Sequence, residues 1–335
     1  MSSARRPSKR WHHGLPETII AAAVWLLSAL VAAKADDWDL CTSGQQDKVL
    51  AACSVVIGQH ARDDVDLSRA YAMRGEWYRL HNRNDETLAD FQQAETLDPN
   101  SYAATAGHGA TLLQKGQLQE ALVDDERAIA LSPEKPYAYF LRGIVRQRQN
   151  QPADAMADFD RALSLRGDVP IYYVRRGALF NQNGDLDRAL SDLDRAIALN
   201  PGIAEAFFDR ALVYRKKGDV DRTIVDLSRA IALAPKNANA YAVRGDLFNA
   251  KGDLDRAIAD YDQALTFAPD NSVVQQQRQS AIAAKTGTRE DQRVHAVIED
   301  AARAAAANAG GAAAARGKHR QPCTGHRAVH STALR

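Results

Sequence analysis

Five arginines and one histidine each precede an aspartate by 16 residues, a spacing that could serve either ion pairing or proton exchange. Arginine stays charged at neutral pH, so it binds a carboxylate rather than exchanging protons with it. Either charge would be unfavourable if it were partly buried alone. We therefore predict a structural ladder of ion pairs, within or between units of the chain, rather than a catalytic site. The pairs are Arg74 with Asp90, His108 with Asp124, Arg142 with Asp158, Arg176 with Asp192, Arg210 with Asp226, and Arg244 with Asp260.

Other chemically active residues do not form a recognisable catalytic or metal-binding motif. The chain has no HExxH, GxSxG, phosphate-loop, CxxC or EF-hand pattern, and the histidines of its body are scattered. Cys323 lies near His319, His326 and His330, which could bind zinc only if that tail were ordered. We favour a free thiol or an intermolecular disulfide there. The sequence thus predicts a non-enzymatic protein with no cofactor, no metal and no small-molecule substrate.

The charge distribution argues against a nucleic-acid partner. The 335-residue chain has a net charge of +1. Residues 36–300 carry 32 basic and 41 acidic residues, whereas residues 301–335 carry six basic residues and no acid. Nucleic-acid-binding domains concentrate basic residues on their folded body. An acidic body with a short basic tail does not belong to that class.

The N-terminal segment has the layout of a secretory signal peptide. Basic residues precede an apolar run from Ile19 to Ala33, and Ala33-Lys34-Ala35 follows as a small-x-small cleavage site. The run is shorter than the roughly 20 residues that span a bilayer. We predict cleavage after Ala35 and a periplasmic or secreted bacterial protein. The alternative is an inner-membrane anchor formed by the uncleaved segment, and only then is the membrane a partner.

One pattern recurs every 34 residues without insertion or deletion, from residue 68 to residue 271. Within each unit of this pattern, a first column of small residues is followed by a second and a third, 12 and 19 positions later. A proline closes most units. Self-similarity at a fixed period is typical of stacked repeat architectures. Apolar residues at three- and four-residue steps between these columns predict helices. The first column holds Gly75, Gly109, Gly143, Gly177, Ala211 and Gly245.

These columns resemble the tetratricopeptide repeat family, whose unit has small residues at its eighth, twentieth and twenty-seventh positions and a proline near its end. The resemblance implies an all-α, right-handed superhelical solenoid of antiparallel helix pairs, with six full 34-residue repeats, a truncated N-terminal repeat and a C-terminal capping helix. The predicted segments are a signal peptide (1–35), the truncated repeat (36–67), six units (68–101, 102–135, 136–169, 170–203, 204–237 and 238–271), a capping and an extra helix (272–308), and a disordered basic tail (309–335).

Extending the repeat register towards the N-terminus places Cys41 in the first small column and Cys53 in the second. In the family that the chain resembles, these positions lie where the paired helices approach most closely, within reach of a disulfide. An exported chain meets oxidising conditions. We therefore predict a Cys41–Cys53 disulfide that stabilises the truncated repeat by about 3 kcal/mol.

In the same family, the first helix of each unit lines a concave groove. Carried onto this sequence, the groove positions are apolar in the middle units and polar in the outer ones, as at Arg79 and Asp246. This pattern suits an extended or helical segment of a protein or peptide partner with buried apolar anchors. The alternative is that these side chains only pack against neighbouring first helices. The groove candidates are Tyr137, Phe140, Ile144, Ile171, Val174, Phe208 and Leu212.

The combined features predict an exported scaffold or adaptor that binds its partner in this groove. Two alternatives stay open. One is an architectural envelope protein that self-associates through its ends or through Cys323. The other, more remote, is a regulatory subunit of a cell-envelope enzyme complex.

Overall fold

The computed structural model describes residues 37–43, 46–60 and 62–317, and all regular structure in those ranges is α-helical. The predicted signal segment and residues 318–335, with Cys323, lie outside the described residues. The helices are α1 (37–42), α2 (Gln46–Gln59), α3 (Asp64–Leu80), α4 (Asn84–Leu97), α5 (Tyr102–Lys115), α6 (Leu118–Leu131), α7 (Pro136–Arg148), α8 (Pro152–Leu165), α9 (Pro170–Gln182), α10 (Leu186–Leu199), α11 (Ala204–Lys216), α12 (Val220–Leu233), α13 (Ala238–Ala250), α14 (Leu254–Phe267) and α15 (Ser272–Gly317).

A tight turn joins the two helices of each repeat. One turn residue has a left-handed backbone, which glycine adopts without steric cost and asparagine tolerates. The column holds Asn82, Gly116, Asn150, Gly184, Gly218 and Gly252, with φ between 57° and 84°. In three repeats an aspartate directly after this residue accepts a hydrogen bond from the N–H group three residues on, which caps the second helix. The turn therefore ends one helix and starts the next.

The small column of the first helices makes room for a large side chain of the second helix. A Cβ on Gly143 would stand 2.6 Å from the ring of Phe159, and a Cβ on Gly245 would stand 2.8 Å from the ring of Tyr261. Neither ring has exposed surface. The glycines are needed because these rings pack directly on the backbone of the first helix, at the density typical of protein interiors.

The described chain divides into two compact units, one up to Val213 and one from Tyr214. In the first unit, α3 packs with α4, α5 with α6, α7 with α8 and α9 with α10. In the second, α13 packs with α14, and α14 packs with α15 around Phe248, Tyr261 and Val274. The all-α class and the succession of helix pairs, both predicted from the repeat pattern, are confirmed.

The N-terminal end of the first unit is held by a disulfide. Cys41 on α1 and Cys53 on α2 are bonded, with a Cα–Cα distance of 4.7 Å. Both cysteines are fully buried and pack with Val49 and Val56 of α2. The structure thus contains the pairing that the repeat register predicts.

The C-terminal end differs from the prediction. We expected a capping helix, a separate further helix and disorder from residue 309, but α15 runs without interruption to Gly317. Gly287 lies inside it rather than ending it. A single glycine costs a helix only about 1 kcal/mol, and the alanine-rich stretch after residue 300 has the highest helix propensity. These residues therefore extend the helix instead of breaking it.

Candidate functional site

A pocket of ≈ 510 Å³ lies among the first helices of the first unit. Buried apolar side chains from α5 and α7 form much of its lining, among them Leu113 and Phe140. Three arginines also line it, one each from α3, α7 and α9. The lining comprises Arg79, Leu80, Asn82, Ala110, Leu113, Gln114, Tyr137, Phe140, Leu141, Ile144, Gln147, Arg148 and Arg175. We call this set the groove pocket.

Three of the seven groove candidates line the groove pocket, namely Tyr137, Phe140 and Ile144. Tyr137 and Phe140 stack with ring centroids 6.4 Å apart. The ring centroids of Phe140 and Tyr172 are 4.7 Å apart, so Phe140 also packs against a second aromatic ring. Burial raises the pKa of the Tyr137 hydroxyl, which therefore stays protonated at neutral pH.

The other four candidates do not line the groove pocket. Val174 has no exposed surface and packs in the core with Phe180 and Leu193, so its assignment to the groove is corrected. Its position on α9 directs this side chain into the core, so the side chain has no surface that a ligand could contact. Ile171 is half-buried against the same core. Phe208 and Leu212 lie one repeat further along, on α11, and are half-buried.

The arginines of the groove pocket differ in how their charge is compensated. Arg79 binds Glu76 through two hydrogen bonds, and Arg175 pairs with Glu205 at 2.8 Å. Arg148 donates to the carbonyl oxygen of Leu113 at 2.9 Å and has no acidic partner among the described residues. Arg148 therefore supplies the uncompensated positive charge of the groove pocket.

Sequence reasoning missed Arg148 and Arg175. These two arginines occupy the thirteenth position of the third unit and the sixth position of the fourth, which were not among the positions carried over from the family. The sequence signal that could have identified them is the pair of arginines in the last turn of α7, Arg146 and Arg148, together with the polar position Arg175 on α9. A positive charge next to apolar groove positions is a reason to expect an acidic ligand group.

The predicted ion-pair ladder is present within the repeats at each arginine that lies in the same compact unit as its aspartate. Each arginine donates through Nε and Nη2 to both oxygens of its aspartate, at 2.7 to 3.0 Å. The aspartate side chains are almost fully buried. The pairs are Arg74–Asp90, Arg142–Asp158, Arg176–Asp192 and Arg244–Asp260. Arg210 and Asp226 belong to different compact units, and their pairing stays a prediction.

The same arginines also reach the preceding repeat. Arg176 binds Asp160 at 2.7 Å, Arg210 binds Asp194 at 2.6 Å, and Arg244 donates to Ser228 at 2.9 Å. The hydrogen bonds to Asp192 and Asp160 raise the pKa of Arg176. The sequence left open whether the ladder acts within or between units. It does both, because each guanidinium has donors on two sides.

Aromatic rings complete the surroundings of the ladder arginines. The guanidinium carbon of Arg176 lies 5.8 Å from the ring centroids of both Tyr173 and Phe180. Arg188, beyond the turn, lies over the ring of Phe180 at 4.5 Å from its centroid. Cation–π contacts at these distances add modestly to the fixed position of the guanidinium. The ladder arginines are thus held by ion pairs and lie beside aromatic rings.

The second repeat departs from this scheme. His108 replaces arginine and binds Asp124 at 2.7 Å, which raises the pKa of the imidazole. The next residue, Asp125, has no exposed surface, and neither of its carboxylate oxygens has a hydrogen-bond partner among the described residues. Its column otherwise holds large apolar or aromatic residues, namely Phe91, Phe159, Leu193, Leu227 and Tyr261.

Burial, reinforced by repulsion from Asp124, raises the pKa of Asp125 to about 8. Asp125 is therefore protonated and neutral at pH 7. Thr105, on α5, is also fully buried with an unpartnered hydroxyl oxygen, and its column holds tyrosine or phenylalanine in the other five repeats. The second repeat therefore has small polar side chains at one aromatic position and at one position that is otherwise large and apolar or aromatic.

Two further properties of the described residues bear on the site. They contain no group of three or more histidine, cysteine or acidic residues placed to hold a metal ion. None of the helices in this part of the chain is both long enough and apolar enough to cross a membrane.

Comparison with family models identifies the repeats. Three models described as tetratricopeptide repeat match residues 140–202, 177–247 and 238–271. No curated protein shows a significant sequence match to the chain.

Solved structures share the fold. A chain of the APC/C hetero-tetramer Cut9–Hcn1 is similar with a TM-score of 0.66 at 18% identity, over 72% of this chain and 47% of that one. PilW, a widely conserved type IV pilus biogenesis factor, gives a TM-score of 0.56 at 18% identity, over 64% and 98% of the two chains. A tetratricopeptide repeat protein from Parabacteroides merdae gives 0.55 at 17% identity, over 74% and 96%. At these identities the similarity concerns the fold, and the chain spans less than half the length of the Cut9–Hcn1 chain.

Proposed function

This chain belongs to the tetratricopeptide repeat family, and from that premise we propose that it is an exported scaffold that binds a peptide segment of a partner protein in the groove pocket. Repeats of this family generally serve protein–protein interaction rather than catalysis. The proposal accordingly includes no reaction and no cofactor.

The groove pocket itself is the observation that supports this function most strongly. Tyr137 and Ile144 remain partly exposed beside the fully packed Phe140 and Leu141. Apolar surface that stays open next to a rigid core is the usual site of a buried anchor residue. The pocket volume of ≈ 510 Å³ is large enough for one bulky side chain and adjoining backbone.

The charge around the groove pocket favours a particular peptide chemistry. Arg148 has no acidic partner among the described residues, while Arg79 and Arg175 already have one each. A carboxylate of the peptide placed near Arg148 would gain a charge-assisted hydrogen bond. We therefore expect a segment with one bulky apolar anchor and an acidic residue close to it in sequence.

Export is the second part of the proposal. The buried Cys41–Cys53 disulfide supports a location outside the reducing cytosol. The signal layout of the first 35 residues supports the same location. Expression of the complete chain in a bacterium, followed by N-terminal sequencing of the exported protein, should give a mature chain that begins at Asp36. A mature chain that keeps the apolar run would favour the membrane-anchored alternative.

The binding proposal is tested with a random peptide library selected against the purified protein. The affinity of the recovered peptides is then measured by fluorescence polarisation for the unmodified protein and for two variants. Ile144→Glu places a charge in the groove pocket, and we expect it to weaken binding at least about tenfold. Arg148→Glu should lower the affinity for peptides that contain an acidic residue and leave the affinity for the other peptides nearly unchanged.

The matched control is Val123→Glu. Val123 lies on α6, is 65% exposed and does not line the groove pocket. Thermal melting of all three variants confirms that each is folded. Equal loss of affinity in Ile144→Glu and Val123→Glu, or no loss in either, would place the peptide elsewhere and contradict the proposal.

A further inference from the structure

The second half of α15 presents an apolar stripe to solvent. The first part of the helix packs on α14 through Val274 and Ala281, which are both buried. From Thr286 to Arg303 every side chain is exposed. Val294, Val297 and Ile298 lie on one face at three- and four-residue spacing, and they are 55%, 67% and 58% exposed. This face has no partner in the described part of the chain.

Such an exposed stripe is unusual for a helix in water. Isolated helices are marginally stable, and their stability in proteins comes mainly from packing of the apolar face. Three large aliphatic side chains on one face, continued by Ala301, form a narrow seam of the width that helix pairs bury. A second helix is therefore the surface that best fits it.

The charges beside the stripe are self-complementary. Arg293 and Asp300 lie seven residues apart and so stand on the same flank of the helix. Arg293 forms no ion pair with the described residues. Asp300 pairs with Arg303 of the same helix at 2.8 Å, but it is 76% exposed and has room for a second cation. In an antiparallel helix pair, identical flanks face each other. A pair centred between Ala296 and Val297 therefore places each Arg293 opposite Asp300 of the other copy.

The parallel arrangement is less favourable. It would bring Glu290, which lies on the stripe side of the helix, against its own counterpart. A membrane surface is also a poor fit, because residues 286–303 carry four acidic residues against three arginines, whereas surface-binding helices are basic. We propose that a second copy of this chain covers the stripe, with the two α15 helices antiparallel and Arg293 of each paired with Asp300 of the other.

The test is sedimentation equilibrium of the whole chain carrying Cys323→Ser, which removes disulfide-linked dimers as an explanation. We expect a concentration-dependent dimer. Arg293→Asp and Asp300→Arg should each weaken it about tenfold, because two ion pairs become two repulsions. The double variant with both changes should recover the original dissociation constant, because the pairs form again with reversed signs.

A matched control comes from the same helix. Val297→Asp should give a monomer, whereas Val273→Asp, at a 62% exposed position outside the stripe, should leave the dimer unchanged. A protein that is monomeric at every concentration, or a double variant that fails to recover, overturns the inference. Cosedimentation of a monomer with phosphatidylcholine vesicles would assign the stripe to a lipid surface and also overturn it.

Discussion

Asp125 offers the sharpest test of how the repeats are packed. It is a fully buried carboxyl group with two unpartnered oxygens, in a column that otherwise holds phenylalanine, leucine or tyrosine. Its Oδ1 atom lies 3.0 Å from the position that a Cβ of residue 109 would take. The charged groups that act on it electrostatically are Asp124 and Glu126 on α6, Arg142 on α7 and Asp158 on α8. Replacing Asp125 by asparagine removes the titration, and replacing it by leucine also restores the apolar column.

The size of the effect follows from the raised pKa. Burial raises the pKa of Asp125 from 3.8 to about 8, so between these values the folded state binds one proton more than the unfolded state. The folded state is therefore favoured at low pH, and this contribution is lost as the pH rises from about 4 to about 8. The loss is about 1.4 kcal/mol for each pH unit, or about 4 kcal/mol at pH 7. Asp125→Leu should recover that amount, with a further gain of about 1.5 kcal/mol or more from apolar burial.

The assay is urea unfolding of the purified protein, followed by circular dichroism at several pH values. The difference in free energy of unfolding between Asp125→Asn and the unmodified protein should grow by about 1.4 kcal/mol per pH unit between pH 5 and pH 7. Taking this difference removes the contribution of the His108–Asp124 pair, which is present in both proteins. Asp154→Asn, at an exposed aspartate on α8, is the control for the loss of one carboxylate.

A pH-independent difference between Asp125→Asn and the unmodified protein would refute this reasoning. It would mean that the carboxylate is solvated or paired in solution, and that the second repeat is not packed as described. Destabilisation by Asp125→Leu at pH 7 would point to the same conclusion, since the column accepts leucine in two other repeats.

Three further changes should affect stability in graded ways. Gly143→Ala should lower the free energy of unfolding by about 1–3 kcal/mol in urea, because its Cβ would collide with the ring of Phe159. Arg176→Ala should destabilise the protein by about 3 kcal/mol and lower its melting temperature, because it leaves Asp192 buried without its cation. Reduction of the disulfide should cost about 3 kcal/mol, and peptide mapping after alkylation checks which cysteines were joined.

Each of these changes has a control in the chain. A Cβ on Gly167 would make only ordinary contacts, at 3.6 Å or more, so Gly167→Ala should be nearly neutral. Arg188→Ala removes a cation that is 69% exposed and pairs with Asp185, so it should cost less than about 1 kcal/mol. Equal effects of Arg176→Ala and Arg188→Ala would show that burial of the ladder does not contribute. An unchanged unfolding curve after complete reduction would show that the end repeat does not need its disulfide.

The fold could be predicted from the sequence because the repeat signal is redundant. The glycine column, the arginine–aspartate spacing and the two cysteines are each fixed by a close helix approach that recurs in every unit. A constraint repeated six times can be recognised without an alignment. The continuity of α15 was not accessible in the same way, because Gly287 and the Gly310–Gly311 pair disfavour a helix locally while the surrounding alanines favour it.

The residues of the groove pocket could be predicted from the sequence only in part. Positions carried over from the family identified Tyr137, Phe140 and Ile144, but they also included Val174, which the helix rotation turns into the core. Exposure depends on how neighbouring first helices pack, and the sequence of one unit does not determine this. Asp125 could have been found, since the 34-residue register places it in a column of large apolar residues.

The central claim, that the groove pocket binds a peptide segment, is tested most directly by site-specific photocrosslinking. A benzophenone amino acid replaces Tyr137 in one protein and Val123, on the outside of α6, in another. Each protein is irradiated with a peptide recovered from the library, and mass spectrometry locates the adduct. The account predicts an adduct from position 137 at the apolar anchor of the peptide, and none from position 123. An adduct from position 123 with none from position 137 would contradict it.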